Sequence, residues 1–161
     1  MTSSNEALFL GTLESPVGPV RVVASEHWVY GVYLPAQVLP HACAPGSSAL
    51  LRRAMGELDQ YFGGARKAFD WPLRALGTEF QRRVWGRLIH IPFGATRTYG
   101  DIAAELGTPA ACRAVGAANG QNPHSIVVPC HRVLGKSGKL TGYAGGVEQK
   151  AWLLRHEAKL R

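Results

Sequence analysis

Hydrophobic and polar positions follow two different rhythms along this chain. In the first third, short β-rich runs recur: Ala7 to Leu13, Val20 to Ser25 and Val29 to Leu34 each have the length of a single strand. Between the first two, Ser15-Pro16-Val17-Gly18-Pro19 predicts a hairpin with a proline-stiffened turn. Residues 35–48 are rich in Pro, Ala, His, Gly and Ser without periodicity and read as a loop. From Ala49 to Phe62 the period becomes helical: Leu51, Ala54, Leu58, Tyr61 and Phe62 share one face, and Gly63-Gly64 ends the helix. Phe69-Asp70-Trp71-Pro72 reads as a last extended piece before a boundary near Ala75.

The second half is mainly helical. Thr78 to Gln81 is a T-x-x-Q capping box, and Phe80, Val84, Leu88 and Ile91 repeat at helical spacing until Pro92-Phe93-Gly94. Thr98 caps a predicted helix to Leu106, with Asp101 in the third helical position and Gly107 as the left-handed C-terminal residue. Thr108-Pro109 starts another, with Pro at its first position, running to about Asn119. Helix, short glycine-containing turn, helix is the helix-turn-helix pattern. Ser125 to Val128 is a β-branched run, and an amphipathic helix starts near Glu148. The pattern predicts an α+β protein: a small α/β domain over residues 1–75, acting as a support, and a mainly helical domain over 76–161.

Charge sharpens that division. The chain carries a formal net charge of +7. Residues 1–75 hold six basic and six acidic side chains, so the whole excess lies in the second half. A one-signed surface of that kind suits a polyanion such as nucleic acid, although a solvated basic face or an acidic membrane surface has the same composition. With 46% apolar residues the chain can bury a real core, which excludes disorder. No apolar run approaches the roughly 20 residues that cross a bilayer, and Ala7 to Leu10 is too short for a secretory signal. The expectation is a soluble, cytoplasmic protein with no membrane partner. Cys43, Cys112 and Cys130 are odd in number and irregularly spaced, which points away from a disulfide framework and toward a reducing compartment.

Residues 109–119 have an unusual composition for a helix that reads DNA. Only Arg113 is long, while Ala110, Ala111, Ala114, Gly116, Ala117 and Ala118 give a slim surface. Such a helix suits the narrow minor groove, with Arg113 as a wedge in the base stack. The same residues also suit plain close packing against a neighbouring helix, with Arg113 solvated. At Pro129-Cys130-His131-Arg132-Val133 a thiol is followed at once by an imidazole and a guanidinium. An ordinary thiol is only slightly ionised at neutral pH, so a nucleophilic cysteine needs such company. Consecutive side chains of an extended segment point to opposite faces, so a turn at the proline or a relaying water must bring Cys130 and His131 into register. In the last helix Lys150 and Glu157 lie about two turns apart, on nearly one face, where both can point at one pocket. Glu157 is a candidate to orient the imidazole. Tyr143, in the glycine-rich loop Leu140 to Gly146, offers an aromatic wall, and Cys112 is expected to face the interior of the helix pair.

This motif resembles the active-site sequence of the O6-alkylguanine-DNA alkyltransferases. Asn122 eight residues before the cysteine, Arg113 and Tyr99 in the helix pair, and Tyr143, Lys150 and Glu157 in order after it extend the match over residues 78–161. Over residues 1–75 it rests on the strand-and-helix pattern, similar to the family's ribonuclease-H-like N-terminal domain. The resemblance implies that Cys130 accepts the alkyl group, activated through a water by His131, which Glu157 orients. It implies that Asn122 holds the segment joining the recognition helix to an active-site strand, that Arg113 fills the gap left by the flipped base, and that Tyr99 helps rotate the nucleotide and donates toward the guanine ring. The backbone of Cys130 and Val133 would accept from the guanine amino group, with the Ala144 amide and the Lys150 side chain near O6. The implied partner is double-stranded DNA bearing alkylated guanine, with O4-alkylthymine a second candidate. The implied protein is a monomer, with cooperative binding along DNA left open, and uses no cofactor. Position 144 is Ala where some relatives carry Ser, which bears on pocket width. Some relatives bind a structural zinc in the N-terminal domain; His41 and Cys43 are too few for a closed site, so no metal is expected. Two other readings follow from the same residues: a lesion-binding module without transfer, and a cysteine hydrolase built on Cys130, His131 and Glu157.

Overall fold

The computed structural model describes residues 5–140 and 142–161. The protein is mixed α/β and divides into two compact units, Met1–Arg74 and Ala75–Arg161. In the first, β1 (Phe9–Leu13), β2 (Val20–Ala24) and β3 (Val29–Tyr33) form an antiparallel sheet in sequence order. The β1–β2 connection closes where the Gly18 amide donates to the Ser15 carbonyl at 2.9 Å, and Gly18 takes the left-handed φ of 96° that the turn requires. The extended stretch ending at Leu73 runs beside β3: Val29 donates to the Pro72 carbonyl at 2.8 Å, and Arg74 donates to Val29 at 2.9 Å. That pairing covers a strand edge that would otherwise present unpaired backbone.

Helix α1 (Ala49–Phe62) starts at Ser48, whose hydroxyl accepts from the Leu51 amide, and buries Leu51, Ala54, Leu58 and Tyr61. These are the positions of the predicted apolar stripe, except that Phe62 stays half-buried. Gly11 lets the Met55 side chain of α1 lie directly on β1, where a Cβ would require the Met55 sulfur to move aside.

The second unit begins with α2 (Glu79–Leu88) behind a complete capping box of Thr78 and Gln81. It ends one turn before Pro92, earlier than the apolar repeat suggests, and Ile91 is buried beyond it. Then follow β4 (Arg97–Thr98), α3 (Tyr99–Glu105), capped by Thr98 and Asp101, and α4 (Cys112–Gly120). Here the structure corrects the sequence-based boundary. Thr108-Pro109-Ala110-Ala111 is a turn closed by Ala111 N–H to Thr108 O at 2.8 Å, and α4 starts only at Cys112. Proline's fixed φ suits the second residue of a turn as well as the first of a helix, so composition could not separate the two. Cys112 is exposed rather than interior, since Val115, Ala118 and Asn119 form the buried face. The Trp85 indole donates to the Ala118 carbonyl at 2.8 Å and ties α2 to α4. A two-residue strand β5 (Val133–Leu134) pairs in parallel with β4, which sets the start of α3 beside the residues just after Cys130. The last helix, α5 (Val147–Leu160), packs against a short 3-10 turn over Cys130–Arg132. Among the described residues no helix is long and apolar enough to cross a membrane.

Candidate active site

Backbone geometry delivers the cysteine. The run Ser125 to Val128, β-branched as a strand would be, is a turn instead. Val127 donates to the Ser125 carbonyl at 2.9 Å across Ile126, whose φ is +74°. This is a γ-turn of the rare, strained hand, and at a β-branched residue it persists only where surroundings hold it. They do: the Ile126 side chain is fully buried. Three residues on, Cys130 donates to the Val128 carbonyl at 2.8 Å across Pro129 (φ −80°, ψ 66°), the ordinary inverse γ-turn. Asn122 spans the pair, donating from Nδ2 to Val128 O at 2.8 Å and accepting the His124 amide at 3.0 Å. It therefore holds the segment that joins α4 to Cys130, and that segment ends in a turn rather than a strand.

The 3-10 turn puts Cys130 and His131 side by side, both buried. Burial pushes the Cys130 thiol above its usual value, while hydrogen bonding from Tyr143 and Asn122 and the nearby Lys150 charge pull it back. Tyr143 does more than form a wall: its hydroxyl lies 3.3 Å from Sγ, within reach to donate to a thiolate. Lys150 is fully buried on α5, with Nζ donating to the Val133 carbonyl at 2.6 Å and lying 5.2 Å from the centre of the Tyr143 ring. Burial lowers its pKa and the Cys130 charge opposes that shift.

His131 and Arg132 converge on one carboxylate. His131 Nε2 lies 2.7 Å from Glu157 Oε2, Arg132 donates to both Glu157 oxygens at 2.7 and 3.0 Å, and the Gly94 amide adds a bond at 3.2 Å. Burial alone would raise the Glu157 pKa, but the hydrogen bonds from His131 and Arg132 overcome it and hold the carboxyl well below the usual range. Burial lowers the His131 pKa, with Glu157 opposing. An imidazole whose Nε2–H faces a carboxylate has its lone pair on Nδ1, and Nδ1 is buried without a hydrogen-bond partner. That is the arrangement of a base. Arg132 does not face the thiol, as adjacency in sequence suggested. Its remaining nitrogen donates to the Ile91 carbonyl at 2.6 Å and its guanidinium lies 5.7 Å from the Phe93 ring centre, because the 3-10 turn directs it to α5.

On α4, Arg113, Ala114 and Ala117 are exposed, with Ala111 and Gly116 half-buried, so the slim face is open. Tyr99, at the start of α3, is half-buried; burial raises its pKa, with the Cys130 charge adding and the Asn119 side chain opposing.

Residues 79–159 match the model of the 6-O-methylguanine DNA methyltransferase DNA-binding domain. A methylated-DNA–protein-cysteine methyltransferase of Methanosarcina acetivorans is 44% identical over 154 residues, 93% of this chain and 98% of that one. The chain belongs to the methylated-DNA–protein-cysteine methyltransferase family. A relative of the same name from Mycobacterium bovis is 45% identical over 152 residues, covering 91% and 90%. The crystal structure of Mycobacterium tuberculosis O6-methylguanine methyltransferase superposes with a TM-score of 0.86 at 42% identity, covering 96% of this chain and 94% of that one. Mycobacterium tuberculosis OGT in complex with DNA gives 0.86 at 43% identity, covering 92% of each.

Set against this family, the site contains residues that sequence reasoning passed over. Asn119 is buried in α4 and donates to the Cys130 carbonyl at 3.3 Å; its only sequence signal was a polar residue on an otherwise apolar face. Gly94, which the sequence marks only as a helix stop, donates its amide to Glu157 Oε1 at 3.2 Å. Lys150 and Glu157 do share the site, yet they hold different atoms of residues 130–133. The Val133 carbonyl already receives Lys150, and the Ala144 side chain is exposed. In the N-terminal unit His41 Nε2 lies 3.1 Å from the Tyr33 hydroxyl, and the Cys43 thiol points to the His41 carbonyl. Among the described residues no three His, Cys, Asp or Glu side chains gather as a metal site requires.

Proposed function

We propose that this protein repairs DNA by transferring the alkyl group of O6-alkylguanine to Cys130. The carrying observation is the buried Cys130 next to an imidazole whose Nε2 is held by Glu157 and whose Nδ1 is free to take a proton. Sγ attacks the alkyl carbon in line, forming a carbon–sulfur bond as the carbon–O6 bond breaks. The thiol proton passes through a bridging water to His131 Nδ1 and then to the departing guanine, so the protein ends neutral at that site. Tyr143 steadies the thiolate, and Asn122 keeps the turn that aims it. The product is a thioether. It has no electrophilic carbonyl for water to attack, so each molecule acts once.

A base stacked inside a duplex cannot meet a buried thiol, so it must be extruded, at a cost of a few kcal/mol. In this reading α3, its turn and α4 act as a helix-turn-helix, the slim surface of exposed Ala114 and Ala117 with half-buried Ala111 and Gly116 meets the minor groove, and Arg113 takes the place of the flipped base. Tyr99 then donates to the guanine ring, with the Ala144 amide and Lys150 near O6. The N-terminal unit supports this domain as a ribonuclease-H-like module. The partner is double-stranded DNA containing alkylated guanine, met by a monomer in the cytoplasm, and binding weakens as salt rises.

The test is the mass of the tryptic peptide bearing Cys130 after incubation with a duplex containing O6-methylguanine. A gain of one methyl group in step with lesion loss is expected, and an unmodified peptide beside persistent lesion sinks the reading. Arg113→Ala should slow repair of duplex by about ten- to a hundredfold, the equivalent of roughly 1.4–2.8 kcal/mol, while sparing reaction with the free base. Equal losses on both substrates would remove Arg113 from the wedge role.

A further inference from the structure

Asn119 is the polar residue on the buried face of α4, 3% exposed. Its Nδ2 donates to the Cys130 carbonyl at 3.3 Å. Burial raises the pKa of the neighbouring Tyr99, and the Asn119 side chain opposes that shift. Its Oδ1 has no hydrogen-bond partner. A buried carbonyl oxygen left unpaired costs free energy that a donor would recover. The amide is therefore anchored on the Cys130 backbone, with one acceptor unused.

The chemistry of the base limits which donor can use it. Alkylation at O6 fixes the ring in the form without hydrogen on N1, so the exocyclic amino group on C2 is the one donor left on that edge. The carbonyls of Cys130 and Val133 already receive Asn119 Nδ2 and Lys150 Nζ, respectively. An amino group with two hydrogens has use for a further acceptor. We propose that Asn119 Oδ1 accepts a hydrogen bond from the C2 amino group of the flipped O6-alkylguanine, making Asn119 a base-reading residue that selects guanine. This assignment rests on the alkyl-transfer reading above.

Single-turnover rates on two duplexes test it, one with O6-methylguanine and one with O6-methylhypoxanthine, which differs only in lacking the amino group. Asn119→Leu and Asn119→Met remove the acceptor at similar volume. Losing a hydrogen bond matched to one substrate should lower the guanine-to-hypoxanthine rate ratio about tenfold, on top of any slowing that both substrates share through loss of the Nδ2 bond to the Cys130 carbonyl. Equal slowing of both substrates would overturn the assignment and leave Asn119 holding only the Cys130 carbonyl. An unchanged preference overturns it as well. Circular dichroism checks that each variant is folded. A wild-type protein whose Cys130 stays unmodified by both duplexes refutes alkyl transfer itself, whereas an active wild type with an unaltered ratio in both variants refutes only the role of Asn119.

Discussion

Replacing His131 with alanine should slow alkyl transfer by about 10²- to 10⁴-fold, the usual worth of a positioned general base. The dependence on pH separates this role from simple damage to the fold. In the wild type, burial keeps the imidazole below its ordinary value of 6.5, so the base is already neutral at physiological pH and the rate should stay level until acid well below that value. In His131→Ala the thiol must ionise unaided, and burial has pushed that ionisation up. The variant's rate should then climb about tenfold per pH unit through neutrality, following the thiolate fraction. A variant that keeps a level profile would show that His131 takes no proton from Cys130. Stopped-flow quenching of a fluorescent duplex over pH 5–9 is sufficient to tell the profiles apart.

Glu157→Gln should cost about 3–5 kcal/mol of unfolding free energy, the range for breaking a buried ion pair from one side. Glu157 is 1% exposed and answers two cationic or polar partners plus the Gly94 amide. The amide of Gln cannot balance the Arg132 guanidinium, which then stays buried without its charge partner. The acid limb carries the sign. A carboxylate held low in the folded state contributes fully above its unfolded pKa near 4.5, and that contribution fades as pH falls from there toward the lower folded value. The depressed His131 works in the same direction from 6.5 downward, because the unfolded chain takes up its proton first. Urea unfolding followed by tryptophan fluorescence should therefore show a wild type that weakens steeply below pH 4.5 and a Gln variant that is weaker throughout and flatter there. A loss under 1 kcal/mol at pH 7 would mean that the carboxylate is not the anchor of this network.

Much of the architecture was legible because it depends on local rules. The stripe Leu51, Ala54, Leu58 and Tyr61 specified α1, Thr78 with Gln81 and Thr98 with Asp101 specified two helix starts, and the glycine-bearing turn after Ser15 specified a hairpin. These signals act within a few residues, where side-chain period and capping hydrogen bonds decide the outcome. Local rules failed where two conformations share them. Thr108-Pro109 fits a turn and a helix start equally, and the structure took the turn. Ser125 to Val128 has strand composition but bends through Ile126, a conformation that a β-branched residue avoids unless tertiary packing imposes it.

By itself the sequence determined the chemistry available: a thiol beside an imidazole, a slim basic helix segment with one arginine, and an acid and a lysine two turns apart on a final helix. Which of these groups meet was decided by tertiary structure alone. Glu157 reaches His131 across 26 positions of chain, Asn119 reaches the Cys130 carbonyl across 11, and Arg132 turns from the thiol to the carboxylate, because helix packing and not sequence distance places them. The physical reason is burial. Inside the second unit each charged or polar atom must find a partner or lose its hydration unrewarded, so the packed fold selects one arrangement of bonds where the sequence permits several.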